Sequence, residues 1–124
     1  MLTAEQIADG KRRTRHTLDA FHEHDDCIRI AYEWLDAQKI IATPNKRFRP
    51  LKHIIEAWAG RYVSQTDVEV AALLHPRISG KYPNFNMSAR LVHPREDRLD
   101  QIAEANTQNQ RDHFEPGTYA TKEA

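Results

Sequence analysis

One helix is bounded at both ends by the residues around Ser64 and Pro76. The Ser64 side chain can cap the amino end of a helix, and Asp67, three residues later, is an acid near the positive end of the helix dipole. Apolar residues then recur at helical spacing, at Val68, Ala71 and Ala72. Pro76 cannot continue the helix, because its ring removes a backbone donor and collides with the preceding turn. The sequence therefore predicts a helix that starts after Ser64 and stops before Pro76.

A second helix is predicted after a connection that spans residues 75–82. It would begin near Pro83 or Asn84, and Met87 and Leu91 would anchor it in the core. Its polar positions are Asn84, Asn86, Ser88 and Arg90. Amide, hydroxyl and guanidinium groups can hydrogen-bond the edges of bases, so this helix is the candidate for reading a nucleic-acid groove.

These two segments resemble the helix-turn-helix DNA-binding superfamily over about a quarter of the chain. The matching residues are Asp67, Val68 and Ala71 for the D-V-x-x-A of the scaffold helix, and Ser88, Arg90 and Leu91 for the S-x-R-L that ends the recognition helix. The resemblance implies a regulator of transcription whose second helix contacts base edges, with Arg90 reaching a guanine or a phosphate. Such proteins commonly bind as dimers, which makes a homodimer an expectation. The alternative interpretation is a pair of ordinary core helices.

Charge alternates along the chain, although the formal net charge is +0. Residues 19–38 hold six acids against one base, residues 39–61 six bases against one acid, and residues 77–98 five bases against two acids. Two basic segments therefore flank the capped helix, and basic side chains supply most of the affinity for the DNA backbone. The candidate phosphate contacts are Lys46, Arg47, Arg49, Lys52, Arg77 and Lys81. The alternative is that these segments are solvated faces that pair with one another.

The rest of the chain is also predicted to be mostly helical. Thr3 and Gln6 resemble a capping box, Asp25 or Asp26 can cap an apolar helix, and Pro50 and Gly60 bracket an amphipathic one. A last helix is predicted from about Pro94 or Arg95, with Leu99, Ile102 and Ala103 turned inward. Strand signals are confined to residues 39–42 and 91–93. The expected fold is a small, mostly α domain of helix-turn-helix type with a short two-stranded wing.

Three segments are expected within a length typical of one domain. Residues 1–24 form an N-terminal helix or a basic arm, and residues 25–106 form the helical domain. Residues 107–124 are polar and have few apolar side chains to bury, so we expect a mobile tail.

The sequence does not contain the motifs of an enzyme. It has only 4 Gly and no glycine-rich phosphate loop, and neither G-x-S-x-G nor H-E-x-x-H occurs. His22, His24 and Cys27 could ligate zinc, but no second ligand pair follows at a recognisable spacing. We therefore expect no catalysis, no cofactor and no metal. A single cysteine and the lack of a long apolar run predict a cytoplasmic protein that does not bind membranes.

Two other functions fit parts of the sequence. Arg49, Pro50, Leu51 and Lys52 resemble the R-P-L-K segment of FinO-like RNA chaperones. No D-L-x-G follows as it does in that family, so RNA binding is a minor alternative. The main alternative is a protein-interaction module, such as an inhibitor or adaptor, in which the charged segments select the partner. Its aromatic anchors would be Trp34, Trp58, Tyr62, Tyr82 or Phe85.

Overall fold

A computed structural model describes residues 1–14, 24–44 and 50–124 of the chain. The α-helices are α1 (Ala4–Arg13), α2 (Asp25–Asp36), α3 (Lys52–Ala59) and α4 (Gln65–Leu74). The strands are β1 (Gly80–Lys81), β2 (Asn84–Phe85), β3 (Val92–His93) and β4 (Thr121–Lys122). Three 3₁₀ turns, η1 (Glu96–Leu99), η2 (Gln110–His113) and η3 (Pro116–Thr118), lie between β3 and β4. The prediction of a small, mostly α domain is confirmed.

The helix ends follow the local chemistry of the sequence. Thr3 and Gln6 form a complete capping box at α1, and Ser64 and Asp67 form another at α4. Gly60 ends α3 with a φ of 64°, a left-handed conformation that favours glycine. At α2 the cap is His24, whose Nδ1 accepts from the backbone N–H of Asp26. An aspartate cap was expected there, and that prediction is wrong.

The core forms around α2, which is buried along most of its length. Ile28, Ile30 and Trp34 of this helix are fully buried. Helix α4 packs against both α2 and α1. At the α1 crossing Gly10 is buried, and a Cβ there would lie 2.9 Å from side-chain atoms of Val70 and Leu74. Glycine at this position therefore permits the close approach of α1 to α4. Residues 15–23 of the predicted N-terminal helix or basic arm lie outside the described residues.

The predicted recognition helix is absent, and residues 80–85 form a hairpin instead. Strands β1 and β2 pair antiparallel, and Met87 forms an antiparallel bridge with Ile40. Phe85 and Met87 are buried while Asn84 and Ser88 are only partly so. Apolar Phe85 and Met87 alternate in the sequence with polar Asn84, Asn86 and Ser88, which is the period of a strand. Asn86 is buried as well, and the chain here is extended rather than helical despite the helical spacing of Met87 and Leu91. Strands were expected at residues 39–42 and 91–93, but Ile40 bridges to Met87 and β3 pairs with β4, so that pair does not form. The helix predicted from Pro83 or Asn84 was also wrong.

The C-terminal segment packs against the domain, although each of residues 107–124 stays partly or largely exposed. Turn η2 packs on α3, and strand β4 pairs parallel with β3. Tyr119 accepts a hydrogen bond of 2.9 Å from the buried indole N–H of Trp34. Arg98 donates to both carboxylate oxygens of Glu123. The predicted last helix is reduced to η1, with Leu99 and Ile102 buried and Ala103 exposed.

Candidate nucleic-acid interface

The turn between α3 and α4 is fixed by buried polar contacts. The carboxylate of Glu56 accepts from the backbone N–H of Val63 at 3.1 Å. The guanidinium of Arg61, a residue 6% exposed, pairs with Glu104 at 3.1 Å. Asn106 N–H donates to the last carbonyl of α3, that of Ala59, at 2.7 Å. The turn between α3 and α4 is therefore held from both sides.

Helix α4 offers little to a nucleic acid. Half of its ten residues are buried, and the exposed edge carries Gln65 and Leu73, with Glu69 partly exposed between them. The Glu69 carboxylate accepts from the Gln65 amide at 3.0 Å. An acid and an exposed leucine would not favour contact with phosphates, which are negatively charged.

Hairpin β1–β2 and residues 39–41 form a small sheet beside α4. The Ile41 N–H donates to the Asn86 carbonyl at 2.9 Å, and the Ser88 N–H donates to the Lys39 carbonyl at 2.8 Å. Gly80, with a φ of 97°, permits the hairpin, because a Cβ would lie 2.6 Å from the Asn84 carbonyl oxygen. This sheet brings Lys39, which was not predicted as a site residue, beside Ser88.

The predicted base-contacting residues do not share one face. The Asn86 side chain is buried, and its amide accepts from Ser79 N–H at 2.7 Å and donates to the Arg77 carbonyl at 3.0 Å. These bonds hold the base of the hairpin. The Ser88 hydroxyl accepts from the Arg90 N–H at 3.2 Å, and the Arg90 residue is exposed. Asn84 is partly exposed within β2, and its Oδ1 is buried with no hydrogen-bond partner.

The predicted phosphate-contacting residues are also spread over the surface. Lys52 pairs with Glu56 at 3.6 Å and lies 4.4 Å above the Tyr62 ring. Arg77 pairs with Asp36 at 3.6 Å, whereas Lys81 is exposed in β1. The other three candidates, Lys46, Arg47 and Arg49, lie outside the described residues.

Several basic side chains on or next to the small sheet have no carboxylate partner among the described residues. Most lysines and arginines within residues 1–14, 24–44 and 50–124 lie within ion-pairing distance of a carboxylate. Those without such a partner in these ranges are Lys39, Lys81, Arg90 and Lys122. The first three belong to the small sheet or to the chain directly after it, and Lys122 belongs to β4. We call Lys39, Lys81 and Arg90 the basic edge.

A second group of charged residues ties the C-terminal segment to α2. The buried His75 ring accepts from the Arg77 N–H through Nδ1 at 3.1 Å, so its Nε2 is the donor to Asp36 at 2.8 Å. Burial raises the pKa of Asp36, but hydrogen bonds from His75 and Arg98 outweigh it and hold that pKa below its ordinary value. Hydrogen bonds to three carboxylates keep the Arg98 pKa above its usual range. These charged side chains are bonded to one another and hold the C-terminal segment against α2.

The described part of the zinc candidate does not form a metal site. His24 caps α2, and the buried Cys27 thiol lies 3.4 Å from the Tyr62 carbonyl oxygen. His22 is outside the described residues. Within the described ranges, no group of three His, Cys, Asp or Glu side chains is arranged to hold a metal ion. No helix in those ranges is long and apolar enough to cross a membrane.

No family model, curated protein or solved structure matches this chain.

Proposed function

We propose that this chain is a DNA-binding regulatory protein that contacts DNA through its hairpin wing rather than through a second helix. The order of its elements supports this function. Helix α2 is followed by the extended residue Ile40, then by α3, a short turn and α4, and then by hairpin β1–β2, which bridges back to Ile40. That order is the one found in winged helix-turn-helix domains.

The basic edge is the observation that carries the proposal. Lys39, Lys81 and Arg90 have no carboxylate partner among the described residues, so their charge is free to meet phosphates. A protein that neutralises phosphates with such side chains gains affinity by releasing counterions. In this arrangement α4 supports the wing and Asn86 holds the base of the hairpin.

The proposal is tested by removing the charge of the basic edge. Lys81→Gln with Arg90→Gln should weaken binding to a labelled pool of random duplexes, measured by fluorescence anisotropy. Two lost phosphate contacts should reduce the slope of log K against log salt by about 1.8. The matched control is Lys122→Gln, which removes an exposed, unpaired lysine from β4.

Equal binding and equal salt slopes for the wild type and the double variant would overturn the proposal, provided both proteins melt alike. A loss of the same size in Lys122→Gln would show that net charge, and not the wing, determines the binding.

A protein partner is the second candidate, and one observation favours it. A groove of about 520 Å³ lies between α4 and the hairpin, and Leu73, Ile78 and Phe85 line it. Leu73 is 39% exposed and Ile78 is partly exposed, so the groove presents apolar surface to the solvent. A pull-down from lysate treated with nuclease distinguishes the candidates. One partner recovered by the wild type and lost on Leu73→Asp would favour the interaction function.

A further inference from the structure

A cavity between α3 and the C-terminal segment is not used by the proposed DNA-binding surface. Its volume is about 470 Å³, within the range of small-molecule sites. Ile54 and Ala57 of α3 line one side, and Phe114, Glu115 and Tyr119 line the other. The cavity exists only because the C-terminal segment folds back onto α3.

Aromatic rings and one carboxylate dominate the chemistry of this cavity. The rings of Phe114 and Tyr119 pack against His93, with ring centroids 5.4 Å and 4.6 Å from that of the imidazole. The Tyr119 hydroxyl is turned to Trp34, and burial raises the pKa of Tyr119 to about 12, so the tyrosine stays neutral. Its ring therefore contributes an apolar wall and no charge.

Glu115 is the one acid among the residues that line the cavity. Its carboxylate has no ion-pair partner within residues 1–14, 24–44 and 50–124. No lysine or arginine in these ranges lines the cavity, and His53 and His113 are its other titratable groups. The cavity thus combines one exposed carboxylate with aromatic rings.

We propose that this cavity binds a small organic cation that carries an alkylammonium or quaternary ammonium group. Aromatic rings attract such a group through their π electrons, and the attraction grows when the site is shielded from water. Glu115 supplies the complementary charge, and Ile54 and Ala57 contact the alkyl part. The site is separate from the basic edge, so its occupancy and DNA binding can be tested independently.

Choline is the first probe, and its neutral analogue, in which carbon replaces the ammonium nitrogen, is the second. Titrations followed by NMR should shift the ring protons of Phe114 and Tyr119 with choline at millimolar or lower concentrations. The neutral analogue should bind about tenfold more weakly, because it has the same shape without the charge. A short peptide that carries trimethyllysine distinguishes a free metabolite from a modified side chain as the source of the ammonium group.

Two variants separate the site from general charge effects. Glu115→Gln should weaken choline binding about tenfold and leave the neutral analogue unchanged. Asp112→Asn removes a neighbouring exposed acid that does not line the cavity and should bind choline as the wild type does. The proposal is overturned if choline shifts neither ring, if the neutral analogue binds equally well, or if Asp112→Asn loses as much affinity as Glu115→Gln.

Discussion

Replacing Tyr119 by Phe should destabilise the whole domain, although the residue lies only five positions before the last residue, Ala124. The substitution removes one oxygen, which is the acceptor for the indole N–H of Trp34 at 2.9 Å. Trp34 is fully buried, so the orphaned donor cannot turn to water. Leaving a buried donor without a partner costs about 1–3 kcal/mol, and we expect about 2 kcal/mol here. For a chain of this length that corresponds to a fall in Tm of about 8 °C.

The assay is urea denaturation followed by tryptophan fluorescence, together with a thermal melt by circular dichroism. The matched control is Tyr62→Phe, because the Tyr62 hydroxyl makes no hydrogen bond with any described residue while its ring still contacts Lys52. That variant should stay within about 0.5 kcal/mol of the wild type. If Tyr119→Phe melts with the wild type, the C-terminal segment is not docked on α2 and the cavity beside α3 does not exist as described.

Three further predictions concern stability. Hydrogen bonds from Arg98 lower the pKa of Glu123, and the pKa of Asp36 is lowered as well. Both carboxylates therefore stabilise the fold at pH values above their unfolded pKa of about 4. That stability should be lost as the pH falls through the folded values, and Tm in Glu123→Gln should depend less on pH in this range. Gly60→Ala should lower the free energy of unfolding, measured by urea denaturation, by about 1–2 kcal/mol. The reason is that φ is 64° and the new Cβ would lie 2.9 Å from the Asn106 side chain. The control Gly117→Ala places its Cβ where nothing lies within 4 Å and should leave the stability unchanged. Ser64→Ala should lower the free energy of unfolding by about 1 kcal/mol through loss of the α4 cap, and an unchanged melt would contradict that role.

The helices were predictable wherever their ends carried local signals. Ser64 and Pro76 bound α4 from both sides, and Gly60 ends α3 in the conformation that glycine favours. These effects act within a few residues, so the sequence displays them directly. The buried α2 was predictable for a related reason, since apolar residues surround almost the whole helix.

The extended segment at Met87 and the C-terminal segment depend on contacts between residues far apart in the sequence. Met87 is extended because it pairs with Ile40, and neither residue alone indicates that pairing. Tyr119 is fixed by Trp34, 85 positions away in the chain. The alternation of Phe85 and Met87 was the one local sign of a strand, and it is too short to outweigh a helical interpretation. The site residues were hard to predict for the same reason. In the sequence Asn86 has the character of a polar surface residue, but in the fold it is buried by the hairpin.

Mapping the contact surface by NMR tests the DNA-binding proposal most directly. The ¹⁵N-labelled protein is titrated with a duplex selected from a random pool, and amide shifts are assigned along the chain. We predict that the largest shifts fall on Lys39, on the β1–β2 hairpin and on residues 88–90, and that Lys122 stays unchanged. Shifts that are absent with every duplex, or that spread evenly over all lysines and arginines, would contradict the proposal.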